Sequence, residues 1–158
     1  MLIINNTDNE LIIVIHNDIV AAPRPRVTRF GVTYYPKKYN DFRNSIINSI
    51  NNIDKPLKLI NAPINIDIKF EFKIPKSYTT NKRKELESIG FYHTNKPDID
   101  NIIKSYLDIL VSSNILSDDS IVSKISAVKK YNPDISKDIV TIIITHIEST
   151  GKNQNEYI

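Results

Sequence analysis

KPDIDNIIKSYLDILVSSNILSDD, Lys96 to Asp119, is the stretch on which the reading of this chain turns: it carries five aspartates, with Lys104 set between them. Pro97 fixes its own φ and biases Lys96 toward extended geometry, so the chain is expected to reach Asp98 as strand or polyproline. Side chains two apart on an extended segment lie on one side, which lets Asp98 and Asp100 converge while Ile99 points into the core. From Asn101 onward Ile102, Ile103, Tyr106, Leu107 and Leu110 recur at helical spacing, predicting an amphipathic helix that starts at the second aspartate. On that helix Lys104 stands one turn beyond Asp100, over the same face, and Asp108 one turn further, ~12 Å from Asp100 at 1.5 Å per residue. The helix is expected to end near Ser113, with Asn114 taking the left-handed position that glycine usually fills. Ile115 and Leu116 then turn the chain back to Asp118 and Asp119.

An isolated Asp-x-Asp is most often a helix N-cap, and Asp-Asp before a strand is most often a turn. Several carboxylates with a lysine nearby are also what Mg²⁺-dependent phosphodiester chemistry requires. Mg²⁺ takes oxygen ligands, keeps several waters and binds through a few carboxylates plus a substrate phosphate, so aspartates without histidine or cysteine suit it. The lysine can then meet phosphate charge.

The whole pattern resembles one family. Pro97-Asp98-Ile99-Asp100-Asn101, Lys104 three residues after the asparagine, and Asp118-Asp119 closing the helix and turn are similar to the RusA family of Holliday-junction resolvases of bacteria and their phages. The spacing from Asp100 to Asp119 agrees without insertion or deletion. Upstream the resemblance takes in a basic loop ending in Tyr35-Pro36-Lys37-Lys38-Tyr39, and downstream a strand ending in Val128-Lys129, so that it covers roughly residues 10–147. It implies that Asp98, Asp100 and Asp119 are catalytic aspartates that bind Mg²⁺, with Mn²⁺ able to substitute, and that Lys104 is the catalytic lysine. It further implies a homodimer, whose two-fold symmetry supplies one site for each of two symmetric scissile phosphates in a four-way junction. The activity so implied is resolution of branched DNA by paired nicks in recombination and repair.

Composition bounds the rest. At 158 residues the chain is one domain by size, expected to span residues 1–147 and to be followed by a polar, aperiodic, disordered tail over 148–158. It has no cysteine, so disulfides, thiolate metal sites and a cysteine nucleophile are excluded. Asp8 and Glu10 fall where a signal peptide would be basic and then apolar, and no apolar run reaches the length of a membrane span, so a cytoplasmic protein without a membrane partner is expected. The net charge of +3 and pI near 9.0 are a modest basic bias. Distribution matters more: acids concentrate in 98–119 and bases flank them, an arrangement that suits a metal-dependent nuclease.

Residues 21–38, AAPRPRVTRFGVTYYPKK, read as a long loop broken by Pro23, Pro25, Gly31 and Pro36. Arg24, Arg26, Arg29, Lys37 and Lys38, interleaved with Phe30, Tyr34 and Tyr35, offer phosphate contacts beside stacking surfaces and are the expected DNA-binding residues. Around this loop the pattern predicts a strand over 10–16, with Leu2 to Ile4 forming a hairpin with it or fraying, and a helix from Pro36 to about Asn52. A strictly alternating strand follows over 64–74, then a charged helix capped by Thr80 and stopped by Gly90. Lys82, Arg83 and Lys84 on that helix either flank DNA or stay solvated. Strands are predicted over 121–131 and over 138–147, the latter apolar on both faces and therefore central. Were the first of these straight, Lys129 would lie roughly 33 Å from Asp119 at ~3.3 Å per residue, too far to serve the same metal; it is assigned to the substrate backbone. His93 reads as a neutral loop histidine outside the site. The fold class expected is α+β, a single domain with a mixed or antiparallel sheet of four or five strands and packed helices. Two other functions remain open on the sequence: a catalytically inactive structure-specific DNA-binding protein, and a metal-dependent nuclease acting on other branched DNA or on RNA.

Overall fold

The alternation in INIDIKFEFK makes strand β5 (Ile64–Lys73) the floor of the molecule. Ile64, Ile66, Ile68, Phe70 and Phe72 are buried while Asp67, Lys69 and Lys73 face outward. The computed structural model of the chain describes residues 1–7, 9–53 and 57–147, so the expected tail over 148–158 lies outside the described residues. Among them β5 belongs to a five-stranded sheet with β1 (Leu2–Asn6), β2 (Glu10–His16), β6 (Val122–Asn132) and β7 (Ile139–His146), in the order β1-β2-β7-β5-β6. Three of the four neighbour pairs are antiparallel and β5–β6 is parallel, so the sheet is mixed. With three α-helices packed on that sheet, the fold is α+β. β1 does pair with β2 as a hairpin, and β7 sits in the middle of the sheet, as its continuous apolar run predicts.

Register stacks the apolar side chains in rows. Ile13, Ile142 and Ile68 are cross-strand neighbours, as are Ile15, Val140 and Phe70, and Leu11, Ile144 and Ile66. All nine are buried. A one-residue slip of any strand would turn its member of each row to the opposite face, so burial of one face pins the pairing.

A parallel pair needs a long crossover, and here the connection from β5 to β6 carries α2 (Thr80–Ser88) and α3 (Ile99–Ser112). Thr79, one residue before the expected cap, caps α2: its hydroxyl accepts from the Lys82 N–H at 3.3 Å, and Gly90 stops the helix at φ 69°. Lys82 pairs with Glu85 and Arg83 donates to the Tyr78 and Pro75 carbonyls, so two of the three bases on α2 are engaged locally. Helix α1 (Lys37–Asn51) follows Pro36 at its N-cap and buries Tyr39, Ile46 and Ile50.

The basic segment 21–38 departs from its expected loop. Arg26–Val27 (β3) and Thr33–Tyr34 (β4) pair antiparallel into a small hairpin. Its tip is closed by Thr28, whose N–H donates to the Val32 carbonyl at 2.8 Å and whose hydroxyl accepts from the Val32 N–H at 3.1 Å. Gly31 supplies φ 78° at this turn, a backbone state that side chains with a Cβ rarely adopt. The periodicity was too short to reveal two-residue strands.

Asp138 holds three segments together. Its carboxylate is buried and accepts from the Ile19 N–H at 3.3 Å and the Lys73 N–H at 3.0 Å, tying the segment after β2 and the end of β5 to the start of β7. Asp138→Ala would strand both donors. A loss of about 2 to 3 kcal/mol is expected, read as a lower urea midpoint at unchanged slope, with Asp138→Asn losing less because its amide oxygen can still accept.

Candidate active site

Helix α3 organises the acids. Ile102, Ser105, Tyr106, Ile109 and Leu110 form its buried face, while Ile103 and Leu107, expected in the stripe, flank it half-buried. Tyr106 packs between the sheet and α1, with ring centroids 5.6 Å from Phe70 and 6.1 Å from Phe42. The far end closes as expected: Asn114 takes φ 57°, and the Ile115 N–H donates to the Leu110 carbonyl at 3.0 Å. Buried Ile115 and Leu116 then bring the chain back, through paired hydrogen bonds with Ile60, to a single 3-10 turn over Asp119–Ile121.

The near end differs from the expectation. Asp98 is extended (φ −71°, ψ 143°), but the helix already begins at Ile99, and the Ile102 N–H donates to the Asp98 carbonyl at 3.2 Å. Asp98 therefore occupies the N-cap position and Asp100 the first turn, where the free N–H groups favour carboxylates. Ile99, expected in the core, is 38% exposed, because as the first residue of a helix it no longer alternates with Asp98 and Asp100 and lines the open cleft with them. The Asp98 side chain makes no capping hydrogen bond, and neither it nor Asp100 forms a salt bridge among the described residues. Both line an open cleft of 560 Å³ with Tyr92, His93, Thr94, Ile99 and Lys129.

Lys129 is also relocated. Residues 91–93 pair with the end of β6, with the Tyr131 N–H donating to the Phe91 carbonyl at 2.7 Å and the His93 N–H to the Lys129 carbonyl at 3.0 Å. This stitches the approach to α3 alongside β6, so the far end of β6 meets the near end of α3. The Lys129 ammonium donates to the Asn95 and Pro97 carbonyls at 2.7 and 2.6 Å, and holds the turn that presents Asp98. Burial lowers its pKa, and the Asp98 charge opposes that shift.

Lys104 does not pair with Asp100. Its ammonium lies 2.7 Å from the Asp108 carboxylate and 3.1 Å from that of Asp119, and these two hydrogen bonds, Asp108 first, hold its pKa well above the usual lysine range. Asp108, which the sequence set apart, is thus joined to Asp119 through one lysine. Asp118 is used differently, accepting from the Ser120 N–H at 2.9 Å as the cap of the 3-10 turn; hydrogen bonding with Ser120, through its side chain first and its backbone N–H second, lowers the Asp118 pKa. Lys104, Asp108, Asp118 and Asp119 line a second pocket of 230 Å³ with Arg43.

Arg43 is the residue that sequence reasoning missed. It lies on α1 and donates to the Ser112 hydroxyl on α3, and its Nε is buried without a partner among the described residues. Nothing local distinguishes it from the other bases of α1; only the packing of α1 on α3 brings it to the acids.

The four aspartates and lysine singled out by motif therefore lie along one helix and its return, but in two groups: Asp98 and Asp100 in the cleft, Asp119 with Lys104 and Asp118 in the pocket. Among the described residues no three carboxylate or imidazole groups are gathered into a metal shell. The all-oxygen donor set suits Mg²⁺, and Asp98 and Asp100 offer carboxylates not committed to a cation. Of the expected DNA-binding residues, Arg24, Arg26 and Arg29 lie on or beside the β3–β4 hairpin, Lys37 pairs with Asp41 at 2.6 Å on the exposed face of α1, and Lys38 is exposed beside it. No helix among the described residues is long and apolar enough to cross a membrane.

A model of a known family, described as endodeoxyribonuclease RusA, matches residues 17–143. The chain belongs to the RusA endodeoxyribonuclease family. The matched span runs from the end of β2 into β7 and includes the hairpin, α3 and both acid groups. The chain is also 30% identical over 125 residues to the uncharacterized protein YqaN of Bacillus subtilis (strain 168), with 76% of this chain and 87% of that protein covered. At the level of the family, RusA proteins are DNA endonucleases that act on Holliday junctions, and the sheet and α3 are the scaffold on which this member holds its acids.

His93 gives the cleft a measurable pH signature. It is buried, stacked on Phe72 at 4.1 Å and beside Tyr131 at 4.5 Å; burial, then the Lys129 charge, lowers its pKa below 6.5. The unfolded chain thus takes up a proton near pH 6.5 that the folded chain resists, so the His93 contribution to stability is complete above pH 6.5 and is lost as the pH falls below it. Unfolding free energies from urea titrations between pH 7.5 and 5.5 are expected to decline less for His93→Phe than for the parent, the difference in slope reaching at most about 1.4 kcal/mol per pH unit. Parallel declines would show that His93 is not held neutral.

Proposed function

We propose that this RusA-family protein is a Mg²⁺-dependent, structure-specific endodeoxyribonuclease that resolves four-way DNA junctions by paired nicks, acting as a homodimer with one site per subunit. The observation that carries the reading is α3 itself: a single rigid helix and its return present Asp98, Asp100, Lys104 and Asp119 in the family's spacing, with Asp98 and Asp100 open to a cleft. Asp98 and Asp100 from the cleft, joined by Asp119 once its carboxylate leaves Lys104, would hold Mg²⁺, which would supply activation of water and neutralisation of charge on the phosphate.

The chain's own groups define the remaining roles. Lys104 keeps its proton throughout the neutral range, so it acts as a fixed positive charge and hydrogen-bond donor toward a phosphate oxygen and not as a base. Asp108 restrains that ammonium from the C-terminal side. Lys129 positions the turn before Asp98 and, from the same end of β6, reaches the substrate backbone. Arg24, Arg26 and Arg29, which form no salt bridge among the described residues, supply phosphate contacts, with Lys37 and Lys38 at the start of α1 extending the basic surface.

Cleavage of a synthetic four-way junction, with linear duplex and RNA as controls and with Mg²⁺ or EDTA, tests the reading. Symmetric nicks confined to the junction and to the metal-containing reaction are expected. Asp119→Asn is expected to abolish cleavage while binding junctions in EDTA at least as tightly as the parent, and Lys104→Ala to slow cleavage by about 10²-fold or more with the fold intact. Binding by the parent without any nicks would instead support an inactive DNA-binding protein.

The arginines give a separate expectation. Replacing Arg24, Arg26 and Arg29 together with alanine should weaken junction binding and reduce the slope of log affinity against log salt by up to about three units, one for each lost phosphate contact. An unaltered slope would place the hairpin outside the interface.

A further inference from the structure

The β3–β4 hairpin carries more than charge. Within residues 26–34 it leaves Val27 65%, Phe30 79%, Val32 61% and Tyr34 45% exposed, and none of the four belongs to the hydrophobic core. A folded chain gains by burying such side chains, so an apolar group held out on a hydrogen-bonded turn points to something that covers it. The same element fixes the chemistry of that partner. Arg24, Arg26 and Arg29 lie beside these residues without a carboxylate partner among the described residues, and the Arg29 guanidinium sits 4.7 Å over the Phe30 ring. The partner must therefore present anions and flat apolar faces together, which is what a nucleic acid with accessible base faces does.

The root of the hairpin lies at the acids. The Ala22 N–H donates to the Asn101 carbonyl at 2.9 Å, fastening the incoming chain to the first turn of α3 immediately beside Asp100. Pro23 and Pro25 stiffen the few residues between that anchor and β3.

We propose that this hairpin is a wedge: Phe30, supported by Val27 and Val32, inserts against unstacked bases at a DNA branch point, and the three arginines hold the flanking phosphates. The proposal rests on the reading of the protein as a nuclease of branched DNA and adds how the branch is selected. Prying apart an intact duplex step costs about as much as stacking one base on an aromatic side chain returns, so the wedge gains little on linear DNA. At a crossover the continuous stack is already broken, that cost largely disappears, and the contact becomes a preference for branches.

The test uses the full chain in EDTA, so that no strand is cut, with a four-way junction carrying 2-aminopurine at the branch point and the same strand in linear duplex as control. The parent protein is expected to raise the fluorescence of the junction and leave that of the duplex unchanged. Phe30→Ala with Val32→Ser is expected to remove the rise and weaken junction binding by about tenfold, while duplex affinity, salt slope and thermal midpoint stay as in the parent. A parent protein that binds and nicks junctions selectively without any fluorescence change overturns the wedge and leaves the nuclease reading standing. One that prefers neither junction nor duplex overturns both. A double variant that retains the full rise, or that loses only self-association in light scattering, also rejects the proposal, the latter because the apolar tip would then face a second copy of this chain.

Discussion

The site depends on one packing interaction, the seating of α3 on the sheet through Tyr106. Its ring is fully buried between Phe70 on β5 and Phe42 on α1, and Ile102, Ile109 and Leu110 continue the contact along the helix. Rows of isoleucine across β2, β7 and β5 make a flat apolar floor beneath it. Because the buried stripe leaves only one rotation of the helix possible, the opposite face must carry Asp100, Lys104 and Asp108 outward. Positioning of the acids is thus a by-product of hydrophobic burial, which is what a carboxylate-rich site needs, since the acids themselves repel one another.

Around α3 the electrostatics separate into two arrangements. At the start of the helix, Asp98 and Asp100 stand at exposed N–H groups with their charges not taken up by any cation among the described residues, while Lys129 spends its hydrogen bonds on the Asn95 and Pro97 carbonyls. One turn on, Lys104 is shared by Asp108 and Asp119. That lysine keeps Asp119 in place against the repulsion of its neighbours.

Much of the fold could be read in the chain because its periods are clean. The strict alternation from Ile64 to Lys73 admits one strand with one buried face, the apolar residues of 139–144 mark the strand that takes the centre of the sheet even though Ile139, Thr141 and Ile143 on its second face are only half-buried, and the stripe from Ile102 to Leu110 can only be a helix. Asn114 at φ 57° and Gly90 at φ 69° were signalled by residue type, because few side chains tolerate that backbone. The β3–β4 hairpin was not legible, since two-residue strands have no period, and Pro23, Pro25 and Gly31 suggest a loop equally well.

The sequence by itself determined which residues the motif singles out: the aspartates and lysine of residues 96–119, their spacing along one helix and its return, and the arginines interleaved with aromatics upstream. Those are properties of neighbouring positions, governed by helical rise and backbone preference. The tertiary structure alone decided which of them meet. It begins α3 at Ile99 and so turns Ile99 outward, gives Lys104 to Asp108 and Asp119 in place of Asp100, carries Lys129 back to the turn before Asp98, and brings Arg43 from α1 to the acids. Each of these depends on how the β5–β6 crossover lays α3 between the sheet and α1, and contacts between residues far apart in the chain are set by that packing and leave no local pattern to read.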